Sequence, residues 1–317
     1  MNVNVNSLLK ATPVTGAGRP PSAAAPFGGA TGALGTASAI FYIVLWASAY
    51  VPSKIGATGA PPLWFLVARF LVAGAVMSAI AVALRRHFPR QLREWATYAA
   101  LGVCANAAYL GLTYSALGRG LASGVGSIVA STNPLILAIV APWLLREPLT
   151  LYKVIGLVFG FGGVVGIMLG RTGTTTALPF DVGLAFLGVV ANVASTILFK
   201  RGRGTNDLVA INAIQLVSAG AVLVPVAALL EGAPAVQLSV EMVAAFWYLV
   251  LVLSVGASLI WFWLLSRGNA SRVSAFYFLT PVFGLLFGAV LLHETVRPAD
   301  AVGLGAIALG IVLVQRG

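Results

Sequence analysis

The residues best able to bind a polar ligand stand singly inside long apolar stretches. Arg69 lies within VARFLVAG, and Asn106, Asn133 and Asn192 lie in three other apolar runs. A buried amide or guanidinium needs hydrogen-bond partners, which a polar cavity or a ligand supplies. We therefore expect these residues to line a cavity. For Arg69 two interpretations stay open: a clamp for a substrate carboxylate, or a structural cation that caps backbone carbonyls or reaches the lipid headgroups.

Aromatic rings and hydroxyl groups recur at intervals of three or four residues, which places them on shared helix faces. In lipid such faces must point into the bundle, because their polar atoms would otherwise lack partners. The candidates to line a pathway are Trp46, Tyr50, Tyr109, Trp261, Tyr277 and Thr280. Helix–helix packing is the alternative, since small and hydroxyl-bearing residues also hold membrane helices together.

Groups for catalysis or metal binding are scarce. The chain has one Cys, two His and eight acidic residues in 317, and none forms a ligand cluster. Glu147 and Glu294 lie at the ends of apolar runs, which favours helix capping or structural pairing over a proton relay. We expect no cofactor, no metal and no enzymatic activity, because an intramembrane acyl or glycosyl transferase would need paired catalytic groups.

The composition predicts an integral membrane protein. Apolar residues make up 59% of the chain, charged residues 9%, and the mean hydropathy is +0.97. The net charge of +11 comes from Lys and Arg in short loops and forms no basic stripe, so we expect no nucleic-acid partner. Ten apolar segments, each long enough to span a bilayer, are predicted near 33–55, 62–84, 95–117, 121–145, 150–170, 181–200, 208–230, 241–265, 270–292 and 297–315.

The second half of the chain repeats the first. Pro134 and Pro281 are 147 residues apart, and the same offset joins Glu147 to Glu294, Gly156 to Gly303, and Gly163 to Gly310. Lys and Arg concentrate on the side of both termini, which predicts a cytoplasmic N-terminus and C-terminus. Each repeat has an odd number of helices, so the two repeats enter the membrane from opposite sides.

The predicted fold is therefore all-α, with ten transmembrane helices arranged as two inverted five-helix repeats. We place a disordered cytoplasmic tail at 1–32, the first repeat at 33–171 and the second at 180–316. Pro134 and Pro281 interrupt the helical hydrogen-bond ladder, so a bend with a gating or structural role is expected there. Lys54, near a helix end, is assigned the same kind of role, and its side chain can snorkel to the surface.

Several motifs resemble the EamA domain of the drug/metabolite transporter superfamily. They are WASAYVPSK (Trp46 to Lys54), Arg69-Phe70, and a proline followed by a glutamate at Pro134 to Glu147 and Pro281 to Glu294. The pattern departs from the family at Asn133, where Thr is usual before the proline. The resemblance covers about residues 35–315.

The resemblance implies an inner-membrane permease that moves a small metabolite by alternating access, most often exporting amino acids or related compounds. Export of cationic drugs or other metabolites, and a channel-like facilitator, are the alternatives. The expected partners are a small-molecule substrate and membrane lipid, and both a monomer and a homodimer stay open.

Overall fold

The computed structural model describes residues 33–119, 121, 129–169, 179–202, 207–234, 236, 238–280, 282–283, 286 and 298–317. The predicted tail at 1–32, Pro281 and Glu294 lie outside the described residues, and so do the side chains of Tyr50 and Lys54.

The described residues follow the ten predicted segments as ten helices, α1–α10. Four of the helices, α1, α3, α8 and α9, are divided into successive segments, and α4 and α9 are described in part. Their bounds are Ala33–Ser48 and Tyr50–Gly59 (α1), Pro62–Ala83 (α2), Leu92–Gly102, Val103–Ala108 and Tyr109–Gly118 (α3), Asn133–Leu144 (α4), Leu151–Leu169 (α5), Pro179–Arg201 (α6), Leu208–Glu231 (α7), Val240–Arg267 (α8), Ala270–Ala275 and Phe276–Leu279 (α9), and Pro298–Arg316 (α10).

Length and composition make four of these helices, α2, α6, α7 and α8, able to cross a bilayer. Shorter apolar helices lie within α1, α4, α5 and α10. Helix ends coincide with capping signals: α2 begins at Pro62, α7 follows the Asp207 cap, and α8 follows the Ser239 cap. The prediction of an all-α fold is confirmed.

Two pairs of equivalent helices, α2 with α7 and α5 with α10, pack against each other in antiparallel fashion. In α2 and α7, a methyl group built on Gly74 would lie 2.7 Å from a Val217 side-chain carbon, and one built on Gly220 would lie 2.7 Å from Leu71. Gly220 follows Gly74 by 146 residues, and Val217 follows Leu71 by 146. The two contacts are therefore related by an approximate two-fold axis.

The glycine-rich pair of α5 and α10 obeys the same symmetry. A methyl group on Gly156 would lie 2.6 Å from the Gly310 carbonyl oxygen, and one on Gly163 would lie 2.6 Å from the Gly303 carbonyl oxygen. Gly303 and Gly310 are the repeat counterparts of Gly156 and Gly163. Contacts of this form require the two helices to run in opposite directions, so the inverted repeat is confirmed.

The third helix of each repeat contains a stretch of π-helix. These stretches are Val103–Ala108 in α3 and Leu249–Ala257 in α8, and their first residues are 146 apart. Because a π-helical turn misaligns backbone groups, it leaves carbonyls available to side chains, and such turns occur often at functional sites. α3 packs on α6, and α8 packs on α1, so each third helix crosses to the first helix of the other repeat.

The main buried core joins the two repeats. Its members include Ile43 of α1, Leu137 of α4 and Val164 of α5 on one side, and Trp263 of α8 and Phe278 of α9 on the other. Among the described residues, neither repeat has a core of this size within itself, so the packing described here lies largely between the halves.

Candidate functional site

Four aromatic side chains meet where the two repeats join. We call Tyr42 and Trp46 of α1, Trp261 of α8 and Tyr277 of α9 the aromatic cluster. Tyr42 stacks on Trp261 with ring centroids 5.2 Å apart, and Tyr277 presents an edge to both rings at 6.1 and 5.1 Å. The hydroxyl oxygens of Tyr42 and Tyr277 are 2.8 Å apart. The cluster therefore combines apolar ring faces with a hydrogen-bonded pair of hydroxyls.

Polar side chains from two further helices adjoin the aromatic cluster. Asn192 of α6 lies within hydrogen-bonding reach of the Tyr277 hydroxyl, and Tyr109 of α3 lies close to Tyr42. Asn192 follows Trp46 by 146 residues, so the two occupy equivalent positions in the repeats. Five helices thus contribute to one region, which brings together five of the residues predicted from the sequence: Trp46, Tyr109, Asn192, Trp261 and Tyr277.

A second polar group, which we call the Arg69 network, lies between α2, α3, α7 and α8. Arg69 is only 5% exposed, and its Nε donates a hydrogen bond to Ser254 Oγ at 3.0 Å. The Tyr114 hydroxyl also lies within hydrogen-bonding reach of the guanidinium. Neither of the two ion pairs found in the described part of the chain includes Arg69. A buried guanidinium is thus held by neutral groups.

The π-helical stretch of α8 extends this network. Ser254 belongs to that stretch, and its backbone carbonyl accepts a hydrogen bond from Asn212 Nδ2 at 3.0 Å. Gln215 in turn donates to Asn212 Oδ1 at 2.5 Å, whereas Gln215 Oε1 is buried and has no partner among the described residues. Ser254 precedes Trp261 by seven residues, or two helical turns. The Arg69 network and the aromatic cluster are therefore about 10 Å apart along one helix.

The residues beside the repeated prolines are also buried. Asn133 of α4 is 4% exposed and Thr280 of α9 is 9% exposed, and these two helices pack together. Thr280 Oγ1 has no hydrogen-bond partner in the described part of the chain. Pro134 lies in the first turn of the helix Asn133–Leu144, after a turn at Ser131 and Thr132. The proline thus starts a helix segment, where its missing N–H costs nothing.

Asn106 lies in the π-helical stretch of α3 and is half-buried. This stretch packs against α6 and α7. Asn106 therefore occupies the position in the first repeat that corresponds to the Ser254 region of the second.

Glu147 joins the first repeat to the start of α9. Its carboxylate accepts hydrogen bonds from the backbone N–H groups of Ala270 and Ser271 at 2.6 and 3.1 Å, and from the Ser271 hydroxyl at 2.7 Å. The neighbouring Arg146 is exposed. A carboxylate at a helix N-terminus satisfies N–H groups that have no partner within the helix, and the helix dipole favours its charge.

Replacing Glu147 by alanine is expected to lower the free energy of unfolding by about 2–4 kcal/mol, because buried N–H groups of α9 would lose their acceptors. Glu147→Gln is expected to lose less, since the amide oxygen still accepts a hydrogen bond. Chemical unfolding in detergent micelles measures both. The control is Glu241→Ala, at the exposed start of α8. Equal stability of Glu147→Ala and the wild type would contradict the capping role.

The sequence-based candidates did not include Tyr42, Asn212, Gln215 or Tyr114. Tyr42 precedes Trp46 by four residues, so the helical spacing that selected Trp46 could have found it. Asn212 and Gln215 are amides inside an apolar segment, which is the signal that selected Asn106. Tyr114, by contrast, carries no signal that separates it from other membrane tyrosines.

The repeat architecture and its motifs are those of one family. A family model described as the EamA-like transporter family matches residues 33–169 and again residues 180–316. The chain belongs to the EamA-like transporter family. The resemblance inferred from the motifs is confirmed, and the chain is a multi-pass membrane transporter of small molecules.

Relatives of this EamA-like transporter align over most of its length. The uncharacterized transporter YoaV of Bacillus subtilis (strain 168) is 27% identical over 279 residues, covering 85% of this chain and 92% of YoaV. The uncharacterized inner membrane transporter YedA of Escherichia coli (strain K12) is 27% identical over 275 residues, covering 86% of this chain and 88% of YedA. A solved crystal structure that is 20% identical, covering 87% of this chain and 93% of its own, shows the same fold with a TM-score of 0.71.

Proposed function

We propose that this EamA-like transporter exports a zwitterionic amino acid or a related compound by alternating access. It would lie in the inner membrane with both termini in the cytoplasm. The observation that carries the proposal is Arg69, a cation buried among neutral hydrogen-bond partners. A charge placed centrally in a membrane helix costs about 2.5–3.5 kcal/mol on insertion scales. A carboxylate-bearing ligand would offset this cost during the transport cycle.

The aromatic cluster supports the same class of cargo. Its rings offer apolar faces to a side chain, and the Tyr42 and Tyr277 hydroxyls with Asn192 offer hydrogen-bond donors and acceptors. Because the cluster takes residues from both repeats, relative movement of the repeats would change its shape. In inverted-repeat transporters the substrate lies between the repeats near the middle of the bilayer.

One alternative cargo is favoured by a specific observation. Electron-rich ring faces attract organic cations, and the aromatic cluster contains two tryptophans, the strongest rings for this interaction. Against it, Arg69 would repel a cation, and no described Asp or Glu adjoins the cluster in the contacts observed.

The test is counterflow of labelled solutes in liposomes that contain the purified protein. The panel is an aromatic, an aliphatic and a cationic amino acid, a sugar and a quaternary ammonium. We expect saturable counterflow of a zwitterionic amino acid, because a carrier exchanges labelled for unlabelled substrate across the membrane. Counterflow of the quaternary ammonium alone would support the cation alternative. Flux that neither saturates nor exchanges would indicate a channel-like facilitator and contradict alternating access.

A further inference from the structure

An ion pair joins the two repeats at one end of the bundle. Arg119, which follows α3, places its Nε 2.8 Å from Asp181 Oδ1 in the first turn of α6. Asp181 is 2% exposed, whereas Arg119 is exposed and its guanidinium also lies over the Phe180 ring, 5.2 Å from the centroid. The acid is thus buried under a cation that faces the surroundings.

Beneath this ion pair, α3 and α6 approach each other closely. A methyl group on Gly188 would lie 3.0 Å from the Tyr109 carbonyl oxygen and 3.4 Å from Thr113 Oγ1. Gly188 follows Asp181 by seven residues, so the contact begins about 10 Å below the ion pair. Tyr109 adjoins the aromatic cluster. The contact between α3 and α6 therefore leads from the ion pair to the candidate site, and we call it the α3–α6 seam.

The two-fold axis relates this seam to the contact between α8 and α1, which is built differently. The position equivalent to Gly188 is Tyr42, whose ring belongs to the aromatic cluster. The position equivalent to Asp181 is Gly35, which has no carboxylate. Arg267 corresponds to Arg119 at a slightly different offset of 148 residues, each preceding a glycine, and it lies over the Trp263 ring at 5.0 Å. Aromatic side chains thus separate α8 from α1, whereas α3 and α6 are joined by backbone contact and an ion pair.

We propose that Arg119 and Asp181 are gating residues, whose ion pair holds the α3–α6 seam closed in this structure and breaks when the seam opens. The inference rests on the proposed alternating access, in which the contacts at opposite ends of an inverted repeat open in turn. Because Asp181 is buried, its charge needs Arg119 while the seam is closed. Opening would expose the Asp181 carboxylate to water, which would then stabilise its charge in place of Arg119.

The experiment measures how accessible the α3–α6 seam is to a water-soluble reagent, and it needs no substrate. Cys104 is the one cysteine of the chain, so Cys104→Ser supplies a background for single reporters. Thr113→Cys is placed in the seam, and Ser266→Cys near the end of α8 reports on the other end of the bundle. The rate of reaction with a water-soluble maleimide is measured for each reporter in detergent-purified protein.

Asp181→Asn and Arg119→Gln are each expected to raise the labelling rate of Thr113→Cys at least about fivefold, while Ser266→Cys is unchanged. Arg119→Lys keeps the charge and is expected to stay within about twofold of the parent. Salt at 1 M is expected to raise the parent rate but not that of Asp181→Asn, because salt screens an exposed charge.

If neither Asp181→Asn nor Arg119→Gln changes the labelling rate of Thr113→Cys, the proposed gating role is wrong. It is also wrong if the labelling rates of Thr113→Cys and Ser266→Cys rise equally, because that result indicates that the whole protein is less tightly packed. If the labelling rates change as expected but no solute shows counterflow, the gating role of the ion pair is supported and the proposed substrate is contradicted. If the amino acid shows counterflow but the labelling rates do not change, only the gating role of the ion pair is contradicted.

Discussion

Replacing Arg69 by alanine is expected to reduce transport of the zwitterionic substrate at least about 30-fold while the protein remains folded. Truncating one partner of a buried, hydrogen-bonded charge pair costs about 2–5 kcal/mol, and each 1.4 kcal/mol is tenfold in affinity. The fold should survive, because removing a buried charge also removes its desolvation cost. Ser254 and Tyr114, the partners of Arg69, are hydroxyls that can reorient.

A comparison of substrates separates a clamp from a structural role. The wild type should transport an amino acid far better than its amide, which lacks the carboxylate, and Arg69→Ala should lose this preference. Arg69→Lys should keep part of it, since the charge remains but the planar guanidinium is lost. Arg93→Ala, at an exposed position near the start of α3, is the control. Unchanged transport by Arg69→Ala, or equal losses for acid and amide, would contradict the clamp.

A large effect on folding is also expected at Gly310. A methyl group there would lie 2.6 Å from the Gly156 carbonyl oxygen and close to the Gly160 backbone, so α5 and α10 would have to separate. Forcing extra atoms into a packed interface costs about 1–3 kcal/mol, occasionally more. We expect Gly310→Ala to lower the thermal unfolding midpoint and the yield of folded protein strongly.

The same helix supplies a matched control. Gly305 has nothing within 4 Å of a methyl group at its position, and alanine is the better helix former by about 1 kcal/mol. Gly305→Ala should therefore match or exceed the wild-type midpoint. On α5, Gly163→Ala and Gly162→Ala form an equivalent pair, because Gly163 is in contact and Gly162 is open. Indistinguishable midpoints for Gly310→Ala and Gly305→Ala would refute close packing along this pair.

The fold could be predicted from the sequence because its signals are local or exactly repeated. Apolar length predicts the helices, and residues at a fixed offset, such as Gly156 and Gly303, predict the inverted repeat. The π-helical stretches could not be predicted, since no residue type marks them. They arise where α3 and α8 pack across the repeats.

The candidate site could be predicted only in part. Helical spacing indicated Trp46, Trp261 and Tyr277, whose faces do converge. The sequence did not place Arg69 in a network separate from these rings, because that depends on how α2 packs against α7 and α8. Likewise, Glu147 was recognisable as lying at a helix end, but the helix it caps begins 123 residues later.

The antiparallel pairing of equivalent helices has a consequence for biosynthesis. α2 and α5 carry contact faces that are completed only by α7 and α10, and Gly156 meets its partner Gly310 in the last helix of the second repeat. While the ribosome is still making the second half, lipid or an insertion factor must cover these faces. The first repeat is therefore inserted with these faces uncovered by protein, and they become buried only when α7 and α10 pack on them.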